Sequence, residues 1–335
     1  MNEFLRGILV GINSVIHNYG WSIVVFTLLI RVIIVPFDYK SRLSMRKTQK
    51  IQPKINALQK KYANDKEKLN LKMNELYKKE KINPLSSCLP ILLTMPILFA
   101  MFAAMRMVAN EQVVQQVMDM LQGKAPEMQG WLWVRNLWMP DSPFAGQLPD
   151  LNTLRMIPAD IWQRMITGEN LEWLMTTFGL AEDCLSGANL NSTIVTLNAA
   201  LQETEFYVNT GVLDGWTFNL FIASFSIMKD MNGYFILPLM ACLTQVLMTK
   251  LTPSQPAPEK DAQGNPVNKQ NNMGFMNWFF PLFSLYICSS SNAAFSLYWV
   301  AANVIAVIEN IVINKYLDAK EAKELLMSNE GGTVK

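Results

Sequence analysis

Residues 21–36 have the sequence WSIVVFTLLIRVIIVP, an apolar stretch whose only charged residue is Arg31. A helix over this stretch would lie mostly in membrane hydrocarbon, where an arginine costs roughly 2.5 to 3.5 kcal/mol even on lenient insertion scales. Because Arg31 lies shortly before Pro36, its side chain could snorkel to interfacial water or join a structural ion pair. The other interpretation is a water-filled, functional cavity, and at this stage both stay open.

Composition predicts an all-α polytopic membrane protein with large parts outside the membrane. Half of the 335 residues are hydrophobic and 17% are charged, with apolar and polar blocks that alternate along the chain. Such blocks are typical of spans separated by soluble segments. Five stretches are predicted to be transmembrane helices: 19–37, 88–108, 234–251, 275–290 and 294–316. The fourth is short, and a re-entrant segment is its alternative.

The charges predict the topology. Residues 38–83 hold fourteen Lys or Arg and five acidic residues. Residues 107–232 hold five Lys or Arg and fourteen acidic residues. By the positive-inside rule the first block is cytoplasmic and the second is extracytoplasmic. The N-terminus is therefore expected outside and the C-terminus inside, which requires an odd number of crossings.

The remaining segments are predicted as an interfacial amphipathic helix (1–18), a cytoplasmic basic helical hairpin (38–87), an extracytoplasmic acidic helical insertion (109–233), a cytoplasmic loop (252–274) and a cytoplasmic tail (317–335). In the first of these, apolar residues at helical spacing should share one face: Phe4, Ile8, Ile12 and Val15. Glu3, Arg6 and Asn13 would then face water. In the hairpin, Asn64 and Glu67 have the spacing of a capping box, with Asn64 as N-cap. The apolar run 218–227 is too short to span and is assigned to the outer region, where it would lie on the membrane.

No chemistry of bond making is predicted. The four cysteines, Cys88, Cys184, Cys242 and Cys288, are interpreted as small buried hydrophobic residues. With a single histidine, His17, a metal site is not expected, and no cofactor is predicted. The sequence holds none of the common hydrolase, metalloprotease or phosphate-loop motifs, so the protein is predicted not to be an enzyme.

Four stretches in a fixed order carry a resemblance to a known family: FTLLIRVIIVPF (26–37), NPLSSCLPILLTMPI (83–97), WLWVRNLWMPD (131–141) and LYW (297–299) with Asn303. Together they resemble the YidC/Oxa/Alb family of membrane-protein insertases, in the bacterial five-span form without the large N-terminal periplasmic domain. The resemblance covers nearly the whole chain except residues 151–229. Two departures are Thr94, where the family often has Gln, and Glu309, where an amide is commoner. The tail lacks a long basic extension, so strong tethering of ribosomes by the tail is not expected.

The resemblance implies that the protein inserts and helps fold integral membrane proteins through a hydrophilic groove open to the cytoplasm, alone or with the Sec translocon. Arg31 would attract acidic residues of a client. Further lining candidates are Thr27, Thr94, Thr244, Gln245, Asn303 and Glu309. For each of these six, a satisfied hydrogen bond between helices is the alternative. Glu309 would either neutralise Arg31 or lie in water at the cytoplasmic mouth.

The implied partners are nascent membrane-protein clients, the Sec translocon, anionic lipids and, weakly through the hairpin, ribosomes, but not DNA. The implied location is the bacterial plasma membrane. Two other classes of function remain: a small anion channel or transporter that uses Arg31, and a structural scaffold of a larger assembly. The absence of an internal repeat argues against the transporter, and the charged hairpin suits docking of nascent chains or ribosomes better; the scaffold is the third option.

Overall fold

The computed structural model describes residues 2–63, 65–80, 82, 89–210, 215–220, 223–251 and 273–330. The first five helices are α1 (Asn2–Ile16), α2 (Tyr19–Lys50), α3 (Gln52–Lys61), α4 (Lys66–Lys79) and α5 (Leu89–Leu121). Five short helices follow: α6 (Leu151–Arg155), α7 (Ala159–Met165), α8 (Glu169–Phe178), α9 (Asn189–Gln202) and α10 (Glu205–Thr210). The remaining elements are strands β1 (Gly215–Leu220) and β2 (Ala223–Met228) and helices α11 (Ile236–Leu251), α12 (Met273–Ser290) and α13 (Ala293–Glu330).

Three stretches of helix are long and apolar enough to cross a membrane: Tyr19–Lys50, Met95–Leu121 and Ala293–Glu324. Two shorter apolar helices occur at Ile236–Leu251 and Trp278–Ser290. All five apolar segments of the sequence are thus helical where the structure describes them. The chain is a mostly helical, multi-pass membrane protein.

Two of these helices are longer than predicted. Helix α2 continues through Pro36 to Lys50, although the sequence pattern placed its end at residue 37. A proline inside a helix removes one backbone hydrogen bond and can be accommodated by a bend, and Lys47 and Lys50 in the last turn complement the negative end of the helix dipole. Helix α5 likewise runs to Leu121 without a break at residue 108.

The chain divides into two compact units. The first unit comprises Met1–Thr27, Ala100–Leu243 and Leu282–Ala301. The second unit comprises Leu28–Phe99, Thr244–Pro281 and Ala302–Lys335.

In the first unit, α1 forms a helix as predicted but buries a different face. Leu5 and Leu9 are buried at 7% and 1% exposure, whereas Phe4 and Val15 remain 69% and 78% exposed. The predicted apolar stripe, which runs from Phe4 to Val15, lies next to the buried residues Leu5 and Leu9 on the helix surface. Periodicity gave the helix, but it could not show which part of a wide apolar arc meets protein and which part is left for lipid.

Arg6 of α1 forms an ion pair, contrary to the prediction that it faces water. Its Nε and Nη2 atoms donate to Glu111 Oε2 at 3.0 and 2.8 Å. Arg164 Nη2 donates to the other oxygen of Glu111 at 2.6 Å. The hydrogen bond with Glu111 raises the pKa of Arg6 above its usual value. A mostly buried carboxylate of α5 therefore joins α1 to α7 through two arginines.

The segment 131–141 is held by buried polar side chains. Asn232 Nδ2 donates to three backbone carbonyls, those of Asn136, Met139 and Pro140, at 2.8 to 3.1 Å. Asn136 Nδ2 in turn donates to Gln116 Oε1 at 3.0 Å. These buried amides satisfy backbone and side-chain groups of the irregular loop, which lowers the cost of burying it; the indole N–H groups of Trp131 and Trp138 have no hydrogen-bond partner among the described residues.

The same segment covers the N-terminal ends of two apolar helices. Asp141 accepts hydrogen bonds from the backbone N–H groups of Phe235 and Leu237, where α11 begins, at 3.1 and 2.7 Å. The N–H groups of Ala293 and Ala294, where α13 begins, donate to backbone carbonyls of the segment, each at 2.9 Å. The N-terminal donors that a helix cannot satisfy internally are thus supplied with acceptors.

Gly233 fits closely against this cap. A Cβ atom at position 233 would collide with the carboxylate of Asp141. The close approach of backbone and carboxylate explains why the smallest residue stands there.

The outer insertion is not wholly helical, so that part of the fold prediction is wrong. Helices α6 to α10 are followed by β1 and β2, which form an antiparallel two-stranded hairpin. The strands include residues 218–220 and 223–227 of the apolar run 218–227, for which no secondary structure was predicted. Its alternation of apolar and polar residues is brief, and the consecutive apolar residues 220–223 hide it from a periodicity search.

In the second unit, α3 and α4 contact each other through a small apolar cluster. Ile51, Ile55 and Ile82 are its buried members, and the partly buried residues packed on it are Met73, Leu76 and Tyr77. The cap of α4 differs from the prediction: Asp65 is the N-cap, and its side chain accepts from the backbone N–H of Lys68 at 3.0 Å. Asn64 lies outside the described residues. A carboxylate is an equally good acceptor at the N-cap and is favoured by the helix dipole.

Candidate functional site

Arg31 lies inside α2 and forms an ion pair with Glu309 of α13. Arg31 Nη1 is 3.8 Å from Glu309 Oε2, and the two side chains are only 17% and 12% exposed. At this distance the contact is an ion pair and not a hydrogen bond. Among the described residues, Glu309 Oε2 has no hydrogen-bond partner. The two charges therefore offset each other without being fixed by a directional bond.

Further along α2, Arg42 and Arg46 bind the same helix, α13. The Arg42 guanidinium donates to the side chain of Asn310. Arg46 donates to the backbone carbonyl of Asn314 at 3.1 Å and contacts Asp318 at 2.6 Å. The basic residues of α2 thus form a series of contacts along one side of α13, and their charge is shared with amides and carboxylates.

Arg31 and Arg42 are separated by eleven positions in one helix, or about 16 Å along its axis. Their partners, Glu309 and Asn310, are nevertheless consecutive residues. The two long arginine side chains therefore converge on one point of α13. Asp38, which lies between them in α2, interacts electrostatically with both arginines and with Glu309. Two cations and two carboxylates together leave this cluster close to neutral.

A second group of polar side chains joins α13 to α11. Asn303 Nδ2 lies 3.2 Å from Thr244 Oγ1 and 3.3 Å from Gln245 Oε1. Three predicted lining residues are thus brought together, and they bind one another. This is the geometry of a hydrogen bond between helices, which the sequence had left as the alternative for each of them.

Thr27 and Thr94 are the remaining predicted lining residues. Thr27 belongs to the first unit, is buried, and donates its hydroxyl to the carbonyl of Ile23 in its own helix at 2.7 Å. That bond is common for threonine inside an apolar helix because it satisfies the hydroxyl locally. The side chain of Thr94 lies outside the described residues.

Sequence reasoning missed the other residues through which α2 and α13 interact, namely Asp38, Arg42, Arg46, Asn310 and Asn314. The first three were assigned to the cytoplasmic hairpin because the first span was predicted to end at residue 37. A signal was available, since Asn303, Asn310 and Asn314 recur at spacings of seven and four and therefore share one helix face.

The described cysteines are free, with Cys184 and Cys288 buried and Cys242 partly exposed. Burial raises the pKa of the Cys184 thiol. Cys88 lies outside the described residues. Within the part of the chain that the structure describes, no three His, Cys, Asp or Glu side chains are grouped so that they could hold a metal ion.

Comparison with known proteins matches nearly the whole chain to one family. The family described as 60Kd inner membrane protein matches residues 11–180 and 192–321. This match spans the helices that carry Arg31, Glu309 and Asn303. It includes part of the 151–229 region in which the sequence motifs had shown no resemblance.

Individual relatives are named membrane protein insertase YidC. The protein from Fusobacterium nucleatum subsp. nucleatum is 38% identical over 152 residues, which cover 45% of this chain and 65% of that protein. The protein from Campylobacter jejuni subsp. jejuni is 46% identical over 102 residues, covering 30% of this chain and 19% of that protein. The protein from Xylella fastidiosa strain M23 is 34% identical over 187 residues, covering 54% of this chain and 30% of that protein.

The chain thus spans less than two thirds of the length of these relatives. The family is therefore assigned from the family match. That match covers well over half of the chain and includes both helices that hold the arginine–glutamate pair. The resemblance of the ordered motifs to the insertase family is confirmed: the chain belongs to the 60Kd inner membrane protein family, the family of the YidC insertases.

Proposed function

We propose that this protein inserts integral membrane proteins into the bilayer and helps them fold. The observation that carries the proposal is a little-exposed arginine in an apolar helix whose ion pair with Glu309 lacks a hydrogen bond. A charge inside a membrane is energetically costly, and it is found there when it is fully paired or takes part in function. The pairing of Arg31 is incomplete, which favours a role in function. Insertion makes and breaks no covalent bond, so the protein is proposed not to be an enzyme.

The mechanism follows from the near-neutral charge of the cluster. An acidic residue in the polar flank of a client would take the place of Glu309 beside Arg31. Because one carboxylate replaces another, the arginine stays paired, and the displaced Glu309 keeps its electrostatic interaction with Arg42. The exchange then costs less than exposing an isolated charge to hydrocarbon. The client's acidic residue gains a partner while its apolar part moves into lipid.

The polar groups near α11 would serve the same purpose for uncharged flanks. Asn303, Thr244 and Gln245 can exchange hydrogen bonds with a client backbone, since amide and hydroxyl groups both donate and accept. Thr27 and Thr94 are proposed as further lining of a groove open to the cytoplasm. For Thr27 the support is its place in the sequence, four residues before Arg31. Its hydroxyl is already bound to its own helix.

For topology we propose five spans, with the N-terminus and the acidic region outside the bacterial plasma membrane and α3, α4 and the C-terminus in the cytoplasm. The support is the segregation of charge together with five apolar helices. A cysteine placed at Lys60 is expected to resist a membrane-impermeant thiol reagent in intact cells and to react after permeabilisation. Reaction in intact cells would contradict the topology.

For partners we propose ribosomes, anionic lipids and the Sec translocon in addition to the clients, and no DNA. Exposed lysines of α3 and α4, such as Lys61, Lys78 and Lys79, suit a weak attraction to phosphate groups. Binding to ribosomes and to anionic vesicles should then weaken as salt is added. Binding that does not change with salt would exclude this surface.

Reconstitution tests the function directly. Purified protein in liposomes is expected to insert a short, single-span client with an acidic N-terminal flank, measured by protease protection of that flank. Liposomes without the protein, with the same lipids, supply the control. The competing function is a small anion channel that uses Arg31. Liposomes that pass chloride but protect no client would establish the channel in place of the insertase.

A further inference from the structure

The hairpin of β1 and β2 has one apolar face and one polar face. Trp216 pairs with Ile227, and Phe218 lies two positions after Trp216 in β1, so these three residues share a face. Residues directly opposite each other in an antiparallel pair point to the same side, and neighbours along a strand point to opposite sides. The other face carries Thr217 opposite Ser226, and the hydroxyl groups of this pair are joined by a hydrogen bond of 2.9 Å.

The apolar face is exposed in the structure. The Trp216 side chain is 70% exposed and that of Phe218 is 46% exposed, while Ile227 is partly exposed. A two-stranded hairpin is marginally stable in water unless its apolar face packs on something. An exposed tryptophan on such a face indicates a surface that is covered when the protein is at work.

The base of the hairpin is fixed close to the start of a membrane-spanning helix. The N–H of Met228, the last residue of β2, donates to the carbonyl of Pro143 at 2.9 Å, and Asn232 N–H donates to Ala145 at 2.9 Å. Arg135 and Asp230 form an ion pair beside these bonds. This is the segment whose Asp141 caps α11, and α11 begins only eight residues after β2 ends.

Other exposed aromatic residues of the first unit occur around the same segment. Trp21, at the N-terminal end of α2, is 51% exposed and makes an edge contact with Trp131 at 5.7 Å between ring centroids. Tyr234, two residues before the start of α11, is 60% exposed. Tryptophan and tyrosine at the ends of spanning helices are typical of the boundary between lipid and water. The base of the hairpin is therefore expected to lie at the level of the lipid–water interface.

We propose that the apolar face of this hairpin, through Trp216, Phe218 and Ile227, lies in the lipid interface next to the N-terminal end of α11. The occupant of this face is lipid, in the region between head groups and acyl chains. No charged residue occurs in residues 215–228, so the attraction is apolar and does not select anionic head groups. The inference needs only that the chain spans a membrane, and it is independent of insertase activity.

The test compares adjacent positions on opposite faces in the full-length protein. Single cysteines are introduced as Trp216→Cys and Thr217→Cys in a chain whose native cysteines are alanine, and each carries an environment-sensitive fluorophore. The labelled protein is reconstituted in zwitterionic phosphatidylcholine vesicles without client. Quenching by a nitroxide attached to the lipid should be roughly threefold stronger at position 216 than at 217, because only one face enters the lipid.

The partner strand gives an independent comparison in case Trp216→Cys disturbs the hairpin. Ile227→Cys should be quenched by the lipid nitroxide, and Ser226→Cys should be quenched by aqueous iodide instead. Added salt or anionic lipid should leave this pattern unchanged. Equal quenching on both faces would overturn the proposal. So would shielding of position 216 from both quenchers, which would indicate a second copy of the chain, or a change at 216 only when client is added, which would indicate a client site.

Discussion

Replacing Arg31 with alanine is expected to slow insertion of clients with acidic flanks about tenfold. Two charges 4 Å apart attract by about 4 kcal/mol at the effective dielectric of a partly buried site. In the wild type, most of the attraction that Arg31 gains with the client's carboxylate is offset by the attraction that it loses with Glu309. A remainder of about 1.4 kcal/mol corresponds to a factor of ten in rate or affinity. The measurement is the initial rate of flank protection in reconstituted liposomes.

The effect should depend on charge on both sides of the contact. Arg31→Lys should keep much of the activity because it keeps the positive charge, with some loss from a single ammonium in place of a planar guanidinium. Glu309→Gln should speed insertion of acidic flanks several-fold, since the client no longer competes with a resident carboxylate. A client with a neutral flank is the matched control, and its rate should change little in each variant.

A double variant separates function from fold. Arg31→Ala alone leaves Glu309, which is only 12% exposed, without its cation. Such a charge destabilises a protein whatever its function. Combining Arg31→Ala with Glu309→Gln removes both charges. If the arginine only holds the helices together, the double variant should recover insertion; if it attracts clients, insertion should stay slow. Recovery would refute the proposed role of Arg31.

Sequence reasoning was most successful where a signal is local and long. The apolar helices α2, α5, α11, α12 and α13 follow from runs of hydrophobic residues, which need no knowledge of tertiary structure. Their ends were less predictable. The first span was predicted to end at residue 37, just after Pro36 and before the charged block, but α2 continues to Lys50. Packing of one helix against others outweighs the loss of a single backbone hydrogen bond.

The candidate site was predictable in its central residue and not in its partners. Arg31 stands out because its environment in sequence is apolar, whereas Arg42 and Arg46 stand among other charges and look like surface residues. Their contacts with Asn310 and Asn314 join residues 268 positions apart, and no periodicity reports on such pairs. The Arg31–Glu309 pair was foreseen only as one of two alternatives.

Replacing Asp141 with alanine is expected to destabilise the protein by about 4 kcal/mol, which is large for a single substitution. Its carboxylate accepts from Trp133 Nε1 at 3.1 Å as well as from the N–H groups of Phe235 and Leu237. Asp141 is fully buried, so water cannot replace these bonds. Each buried donor left without an acceptor costs about 1 to 3 kcal/mol, and a negative charge at the start of α11 is lost as well.

The measurement is the apparent melting temperature in detergent, which should fall by roughly 10 °C. Asp150→Ala is the matched control, because Asp150 also caps a helix, α6, through the backbone N–H of Thr153 at 2.8 Å, but does so at the surface. Loss of an exposed cap costs about 1 kcal/mol and should lower the melting temperature by only a few degrees. Asp141→Asn should lower the melting temperature by an amount between these two values, because an amide keeps one acceptor oxygen and the carboxylate uses both of its oxygens. Equal shifts for Asp141→Ala and Asp150→Ala would show that α11 does not depend on a cap from the 131–141 segment, and that the buried network there contributes little to stability.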